Sequence, residues 1–217
     1  YRTSQGKITD LSTRKDCGGF LNISLKSAAG SNTNSPIKDE YRFPSPQTPN
    51  PAEAVRRREC WKSRNAMKSG FPEHITIYGV GLIGGSLALA LKKHCPHIRV
   101  TAVDAPEVLS RAQRLGIVDS AGFAESDLTV LAAPVNQILE LLKEHRWNTS
   151  LLLDVGSTKV KICDFAESLR LPFLGGHPMT GNEKSGPEAA SADLFAGAPF
   201  FLSEVRTTPK EIGRAHV

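Results

Sequence analysis

Two hydrophobic patterns alternate along the chain from about residue 75 onward. Short runs of β-branched and other apolar residues predict buried strands, and the longer segments between them predict helices. Because the links are short, the sequence predicts an α/β fold with helices on both faces of a mostly parallel sheet. The predicted strands span residues 75–78, 98–103, 128–132, 151–155, 172–174 and 198–202; the predicted helices span 82–91, 107–115, 135–145 and 158–169; residues 119–127 are predicted to form a turn and a short helical segment.

The first predicted strand runs directly into a glycine turn. The sequence G-V-G-L-I-G, which begins at Gly79, stands between a strand and a helix, the context that the dinucleotide-binding motif requires. In that motif Gly79 permits the tight turn, Gly81 lets a pyrophosphate approach the backbone, and Gly84 lets the helix pack closely. The helix begins at Leu82 and Ile83, where free N–H groups face the phosphates. These five residues are predicted to bind the cofactor within a Rossmann-type fold.

An acidic residue follows the second predicted strand. Asp104 stands 25 residues after Gly79, close to the position where an acid binds the ribose hydroxyls in this fold. A carboxylate there accepts hydrogen bonds from the 2′ and 3′ hydroxyls and repels a 2′-phosphate, so the predicted cofactor is NAD. Ligands of open α/β sheets bind beyond the carboxyl ends of the strands. Ala133 and Pro134, which follow another strand, are therefore predicted to line the same site.

Two further segments are predicted to end at that edge of the sheet. Residues 154–159 are D-V-G-S-T-K, and residues 175–186 are G-G-H-P-M-T-G-N-E-K-S-G. His177 follows a strand and two glycines, so it can face the nicotinamide and exchange a proton near neutral pH. A lone histidine is more often a surface or core residue, but the neighbouring glycines and Ser157 favour a functional role. Lys184 is the one cation that the sequence suggests near His177.

The glycine turn at 79–86, the 154–159 segment and the 175–186 segment together resemble the prephenate dehydrogenases of tyrosine biosynthesis. The resemblance extends over about residues 74–203. It implies the oxidative decarboxylation of prephenate to 4-hydroxyphenylpyruvate, with hydride transfer to NAD⁺. It also implies a homodimer, formed through a helical domain that follows in the family and supplies an arginine for the substrate carboxylates.

The resemblance also implies roles for individual side chains. His177 would accept a hydrogen bond from the ring hydroxyl and act as the general base. Ser157 would orient that histidine and the hydroxyl, and Glu183 would join a polar gate near the substrate. The family usually has Ser or Thr at the position that Asn182 occupies here, so a hydroxyl contact at that place is not expected.

Other functions fit parts of the same pattern. Arogenate dehydrogenase, or a related β-hydroxyacid-type dehydrogenase, is the alternative among enzymes, because the groups that select the substrate are expected in the helical domain. A non-catalytic NAD-binding sensor module is the alternative from another class. His177 and Ser157 argue against the sensor, since a sensor needs neither residue.

Charge and cysteine content exclude several other classes. Residues 1–70 hold 13 Lys/Arg and 6 Asp/Glu, whereas residues 71–217 hold 14 and 16. The predicted folded part therefore has no basic excess for nucleic acid. Four cysteines without a C-x-x-C pair indicate a reducing, cytoplasmic location and no metal site. No apolar run in the sequence is long enough to span a membrane.

The two ends of the chain differ in composition from its middle. Residues 1–70 are rich in Ser, Thr, Asn and Pro without a sustained period, which predicts disorder. The first methionine is Met67, so we interpret the residues before it as translated upstream sequence, with a transit peptide as the alternative. Residues 206–217 are also predicted to be disordered, and the last seven resemble a translated sequencing adapter. The NAD-binding domain is predicted at 71–205, and we expect this chain to bind NAD without turning over prephenate.

Overall fold

The structure, a computed structural model, describes residues 72–144 and 147–209. The predictions on residues 1–70 and on residues 210–217 lie outside this part. Within it, the elements in chain order are β1 (His74–Tyr78), α1 (Leu82–His94), β2 (Arg99–Val103), α2 (Pro106–Arg114), β3 (Ser120–Ala121), β4 (Ser126–Leu131), α3 (Val135–Glu144), β5 (Thr149–Asp154), α4 (Val160–Ser168), β6 (Phe173–Pro178), a 3₁₀ turn (Pro187–Ala189) and β7 (Phe200–Glu204).

All described strands belong to one sheet with the order β3-β2-β1-β4-β5-β6-β7. The first six are parallel to one another, and β7 is antiparallel to β6. The chain moves outward from β1 to β3 and then returns to β4 on the other side of β1. This reversal creates a crevice between β1 and β4 at the carboxyl ends of the strands, where ligands of such sheets bind. The predicted Rossmann-type, mostly parallel sheet is confirmed.

Apolar side chains of alternating strand positions fill two core layers, one on each face of the sheet. One layer joins α1 and α2 to the sheet, and the other joins α3 and α4. Because both faces are covered, the central strands consist almost entirely of buried residues. Fully buried members of the first layer include Ile77, Val100, Val130, Ala88 and Ala112, and those of the second include Leu131, Leu152, Ile138, Ile162 and Phe173.

The prediction of a short helical segment within residues 119–127 is wrong. The backbone at Asp119 pairs with Val100: its N–H donates to the Val100 carbonyl (3.0 Å), and its carboxylate accepts the Val100 N–H (2.8 Å). This pairing extends the chain into β3, and β4 begins already at Ser126. Hydrogen bonds to the open edge of β2 therefore replace the local bonds of a helical turn.

Several predicted boundaries also shift. Helix α4 begins at Val160 rather than at residue 158, and β6 continues to Pro178, so His177 lies within a strand instead of after one. Residues 206–209, which the sequence assigned to the C-terminal segment, pack against the domain: the Thr208 hydroxyl donates to the Phe173 carbonyl (2.6 Å). Among the described residues, no helix is both long and apolar enough to cross a bilayer.

Candidate functional site

The glycine turn between β1 and α1 is held in a narrow space. Gly79 has a φ of +93°, and its N–H donates to the Val103 carbonyl at 2.9 Å. A Cβ at this position would lie 2.4 Å from the Ala132 carbonyl oxygen. Both the left-handed conformation and the close backbone approach therefore require glycine. The turn is joined to the ends of β2 and β4, so the crevice has a fixed wall.

The other two glycines of the motif have opposite surroundings. A Cβ at Gly84 would lie 1.9 Å from the Gly79 carbonyl oxygen, whereas a Cβ at Gly81 would meet nothing within 4 Å. Gly84 thus permits close contact between helix and turn, and Gly81 borders open space. Helix α1 also starts without a side-chain cap and without an acidic residue in its first turn. The N–H groups at Leu82 and Ile83 are therefore available to an anion.

Asp104, directly after β2, lies against the same turn. Its Oδ2 accepts the Val80 N–H and its Oδ1 accepts the Ala105 N–H, both at 2.7 Å. Burial raises the pKa of the Asp104 carboxyl, and the two backbone hydrogen bonds and the charge of Arg111 oppose that rise. Each carboxylate oxygen has more than one lone pair, so the side chain can still accept hydrogen bonds from a diol.

Ala133 and Pro134 continue β4 across the crevice from the turn. Ala133 is buried, and its backbone nitrogen would lie 3.3 Å from a Cβ on Gly79. Pro134 is exposed, and its carbonyl accepts the Ile138 N–H at the start of α3 (3.0 Å). The structure therefore brings together the cofactor-binding residues predicted from the sequence at the switch point of the sheet.

A second polar cluster lies at the carboxyl end of β5 and is organised by Asp154. This side chain has no exposed surface, and it forms an ion pair with Lys159, just before α4. Its oxygens also accept the N–H groups of Gly156 (3.0 Å) and Gly176 (3.3 Å). Lys159 Nζ donates in addition to the Gly176 carbonyl at 2.6 Å. The pair thus connects β5, its following loop and β6.

The two charges of this cluster depend on each other. Burial raises the pKa of Asp154 and lowers the pKa of Lys159, and the opposite charge of each partner opposes the shift. Hydrogen bonds from the Gly156 and Gly176 N–H groups also favour the ionised carboxylate. Loss of either partner would leave the other charge buried without compensation.

His177 is half-buried near the carboxyl end of β6, opposite Phe201 of β7. Burial and then the charge of Lys159 lower the pKa of His177, and Asp154 acts in the opposite direction. The imidazole is therefore neutral at pH 7 and can accept a proton. Lys184 is exposed, and the expectation that it is the local cation is wrong, because the lysine whose charge acts on His177 is Lys159.

Ser157 and Glu183, the other two predicted catalytic residues, are both exposed. Ser157 lies in the loop after β5, and Glu183 lies in the loop after β6. Within residues 72–144 and 147–209, neither side chain forms a hydrogen bond with His177. The structure thus puts Ser157 and His177 on neighbouring strand ends without joining them, and it leaves the roles of Ser157 and Glu183 as predictions.

Comparison with known proteins identifies the family to which the domain belongs. Residues 87–214 match the family model described as "Prephenate dehydrogenase, nucleotide-binding domain". The chain belongs to the prephenate dehydrogenase family. The match begins inside α1, so the glycine turn, which precedes it, is an independent indication of nucleotide binding. The family resemblance inferred from the sequence is confirmed.

Individual relatives agree with this assignment. The prephenate dehydrogenase of Lactococcus lactis is 40% identical over 151 residues, which cover 64% of this chain and 43% of that protein. Aquifex aeolicus prephenate dehydrogenase, solved with hydroxyphenyl propionate and NAD⁺, is similar with a TM-score of 0.58 and 30% identity, over 65% of this chain and 54% of that one. Synechocystis arogenate dehydrogenase has a TM-score of 0.57 and 28% identity, over 64% and 52%. The chain therefore spans about half the length of these relatives.

The side chains of Asp154 and Lys159 are not among the site residues that the sequence of this domain predicts. The 154–159 segment was singled out for Ser157 alone, although its acid and lysine carry the buried contacts. One signal was present: an acidic residue ends an otherwise apolar strand, L-L-L-D. A carboxylate in such a position needs a nearby cation, and Lys159 is five residues away.

Proposed function

We propose that this chain is the NAD-binding part of an enzyme that oxidatively decarboxylates prephenate to 4-hydroxyphenylpyruvate. The observation that carries the proposal is that the dinucleotide turn after β1 and the half-buried His177 near the end of β6 lie at the same edge of one sheet. A nucleotide-binding module alone would not need the histidine. The Aquifex aeolicus relative was solved with NAD⁺ and a hydroxyphenyl acid, which supports the same cofactor and an aromatic product here.

The residues around the crevice fit a dinucleotide. The open side of Gly81 leaves room for a pyrophosphate beside the backbone, and the uncapped start of α1 supplies N–H donors. Asp104 stands against the turn, where its carboxylate can accept hydrogen bonds from both ribose hydroxyls. A 2′-phosphate at that position would meet a negative charge. These contacts favour NAD over NADP.

The proposed chemistry requires the protein to take up one proton and to return it later. NAD⁺, when bound, would supply the acceptor for the hydride that leaves the ring carbon bearing the substrate hydroxyl. The Nε2 or Nδ1 atom of His177 accepts the proton of that hydroxyl, and its lowered pKa keeps it neutral and ready to do so. The bond to the ring carboxylate then breaks, and its electron pair makes the ring aromatic as CO₂ leaves. His177 returns its proton to the phenolate oxygen, so the products are 4-hydroxyphenylpyruvate, CO₂ and NADH.

The remaining roles are part of the same proposal. Ser157 would orient His177 and the ring hydroxyl, and Glu183 would join a polar gate beside the substrate; the exposure of both side chains leaves them accessible to a ligand. We also propose that the enzyme is a homodimer, because the family resemblance implies one. A reducing, cytoplasmic location is proposed from the four cysteines of the sequence, which form no C-x-x-C pair.

Arogenate is the alternative substrate, because the similar Synechocystis enzyme is an arogenate dehydrogenase. Arogenate carries an amino group where prephenate has a keto group, so the two differ in charge at the side chain. The full-length product of the gene should reduce NAD⁺ with prephenate at a kcat/KM at least about tenfold higher than with arogenate. NADH formation at 340 nm measures both. A preference for arogenate would mean that the substrate is arogenate and that the reaction class is unchanged. If neither compound gave NADH, the enzymatic function would be contradicted and the NAD-binding sensor would be the remaining hypothesis.

The second test concerns the cofactor. Calorimetric titration of this chain should show tighter binding of NAD than of NADP, and Asp104→Asn should narrow the difference, because a neutral amide does not repel a 2′-phosphate. Asp164→Asn is the matched control, since Asp164 is an exposed acid on α4 in the other half of the domain. It should leave both affinities unchanged. Equal affinities of the unmodified chain for NAD and NADP would contradict the assignment of Asp104.

A further inference from the structure

We propose that the ion pair between the buried Asp154 and the partly buried Lys159 is the positioning element of the candidate site, which fixes the His177 backbone and sets the charge that its imidazole meets. The inference rests on the proposed function of His177 as the general base. It adds two residues that would act through that histidine without touching the substrate. Asp154 pairs with Gly175, and the side chains of strand positions 175 and 177 point to the same face of the sheet. Asp154 therefore lies on the same face as His177, and so does the Lys159 stem, which borders Gly175.

The pair holds the peptide unit that leads into His177. Asp154 Oδ1 accepts the Gly176 N–H at 3.3 Å, and Lys159 Nζ donates to the Gly176 carbonyl at 2.6 Å. The Gly176 carbonyl carbon is bonded to the His177 nitrogen, so the Lys159 ammonium holds one side of that peptide plane. Antiparallel pairing of His177 with Phe201 fixes the other side. The imidazole therefore extends from a backbone with little freedom.

Glycine at positions 175 and 176 is what allows this close arrangement. A Cβ at Gly175 would lie 2.9 Å from Cys163 Sγ and 3.1 Å from Lys159 Cδ, and a Cβ at Gly176 would lie 2.6 Å from the Asp154 carbonyl oxygen. Gly175 leaves the space that the lysine stem occupies on its way to Asp154, and Gly176 lets the backbones of β5 and β6 approach closely. The ion pair and the glycines before His177 thus form one packed unit.

Among the residues that the structure describes, the charges that act on the imidazole come from Lys159 and Asp154. Lys159 precedes α4 and lowers the pKa of His177, and Asp154 of β5 raises it by less. The Cys163 thiol of α4 is uncharged at neutral pH because burial raises its pKa to about 11. From β7, the residue opposite His177 is Phe201, which has no charge. The lysine is therefore the main charge that keeps the histidine unprotonated.

The experiment is an NMR titration of the histidine side chains in this chain, with His177→Asn used to assign the His177 resonance. In Lys159→Met the titration midpoint of His177 should move to higher pH, and the Gly176 amide should exchange faster with solvent. Lys159→Arg, which keeps a cation, should return both towards the unmodified values. Lys161→Met is the matched control: it removes an exposed lysine from the first turn of α4, two residues after Lys159, and should change neither.

Lys159→Met leaves the Asp154 charge unpaired and can fail to fold, so the double variant Asp154→Asn, Lys159→Met provides a second test. It removes both charges and should also move the His177 midpoint to higher pH, since the effect of the lysine is the larger one. An unchanged midpoint and unchanged Gly176 exchange in either folded variant would overturn the proposal. These measurements need no substrate, so they stand or fall separately from turnover of prephenate.

A kinetic measurement adds the consequence for function. In the full-length product of the gene, the double variant should lose on the order of 10-fold or more in kcat/KM, because small misplacements of a catalytic group are costly. The acid limb of its pH profile should move to higher pH, and NAD affinity should stay unchanged. An unaltered pH profile together with reduced NAD affinity would indicate a merely structural role and would overturn the proposal.

Discussion

Replacing His177 with asparagine is expected to lower kcat by about 10²–10⁴-fold, the usual contribution of a general base. Asparagine keeps a polar side chain of similar reach but cannot take up a proton at neutral pH. His177 lies in β6 between two paired strands, so the substitution should leave the fold intact. The measurement is NADH formation with saturating prephenate in the full-length product of the gene, with NAD affinity measured in parallel and expected to remain nearly unchanged.

The pH profile provides the internal control for that prediction. Burial and the Lys159 charge lower the pKa of His177, so the acid limb of kcat/KM should lie below the ordinary histidine value of about 6.5. The base is active when neutral; activity is therefore lost as the pH falls through this pKa. His177→Asn should abolish the limb, and Ser157→Ala should lower the rate by less while retaining it. Full turnover in His177→Asn would remove this residue from the mechanism.

The fold was predictable because its signals are local. A strand, a glycine turn and a helix follow each other within residues 74–94, and each signal depends on neighbours in sequence. The same holds for the buried strands, whose apolar runs mark them as central strands of a parallel sheet. The cofactor site followed from the fold, because the switch point of a doubly wound sheet determines where ligands bind.

The edge of the sheet was harder to predict for the opposite reason. Residues 119–127 contain Asp, Ser and Gly, which favour turns, and nothing in their own sequence indicates pairing with β2. The bond between Asp119 and Val100 joins positions 19 apart. Strand β3 forms because of this long-range pairing, which the hydrophobic pattern of residues 119–127 alone does not reveal.

The buried pair beside His177 shows the same limitation at the candidate site. The sequence contains the acid and the lysine five positions apart, but their importance comes from Gly176, which is 22 positions from Asp154. Only the parallel register of β5 and β6 brings these groups together. Ser157, the residue of this segment that the sequence predicts to act, is exposed, whereas Asp154 is buried and Lys159 is partly buried.

The second large effect is expected from the glycine turn. Two Gly→Ala substitutions there should have different consequences, one for the stability of the domain and the other for its affinity for NAD. Gly84→Ala places a Cβ 1.9 Å from the Gly79 carbonyl oxygen, so backbone must move against backbone. The free energy of unfolding should fall by more than about 3 kcal/mol, the upper end for forced overpacking, which is a large part of the 5–15 kcal/mol of a typical domain. Thermal unfolding followed by circular dichroism measures this loss.

Gly81→Ala should behave in the opposite manner. Its Cβ meets nothing within 4 Å, so the free energy of unfolding should change by no more than about 1 kcal/mol, the scale of a helix N-cap substitution. The methyl group occupies the side from which a pyrophosphate would approach, and NAD affinity should fall at least about tenfold, or ~1.4 kcal/mol. Gly181→Ala, which also has open space around it but lies in the loop after β6, should alter neither quantity. If Gly84→Ala unfolded at the normal temperature, the close contact between turn and helix would not matter for stability. If Gly81→Ala bound NAD normally, the turn would not be the phosphate-binding element that its geometry indicates.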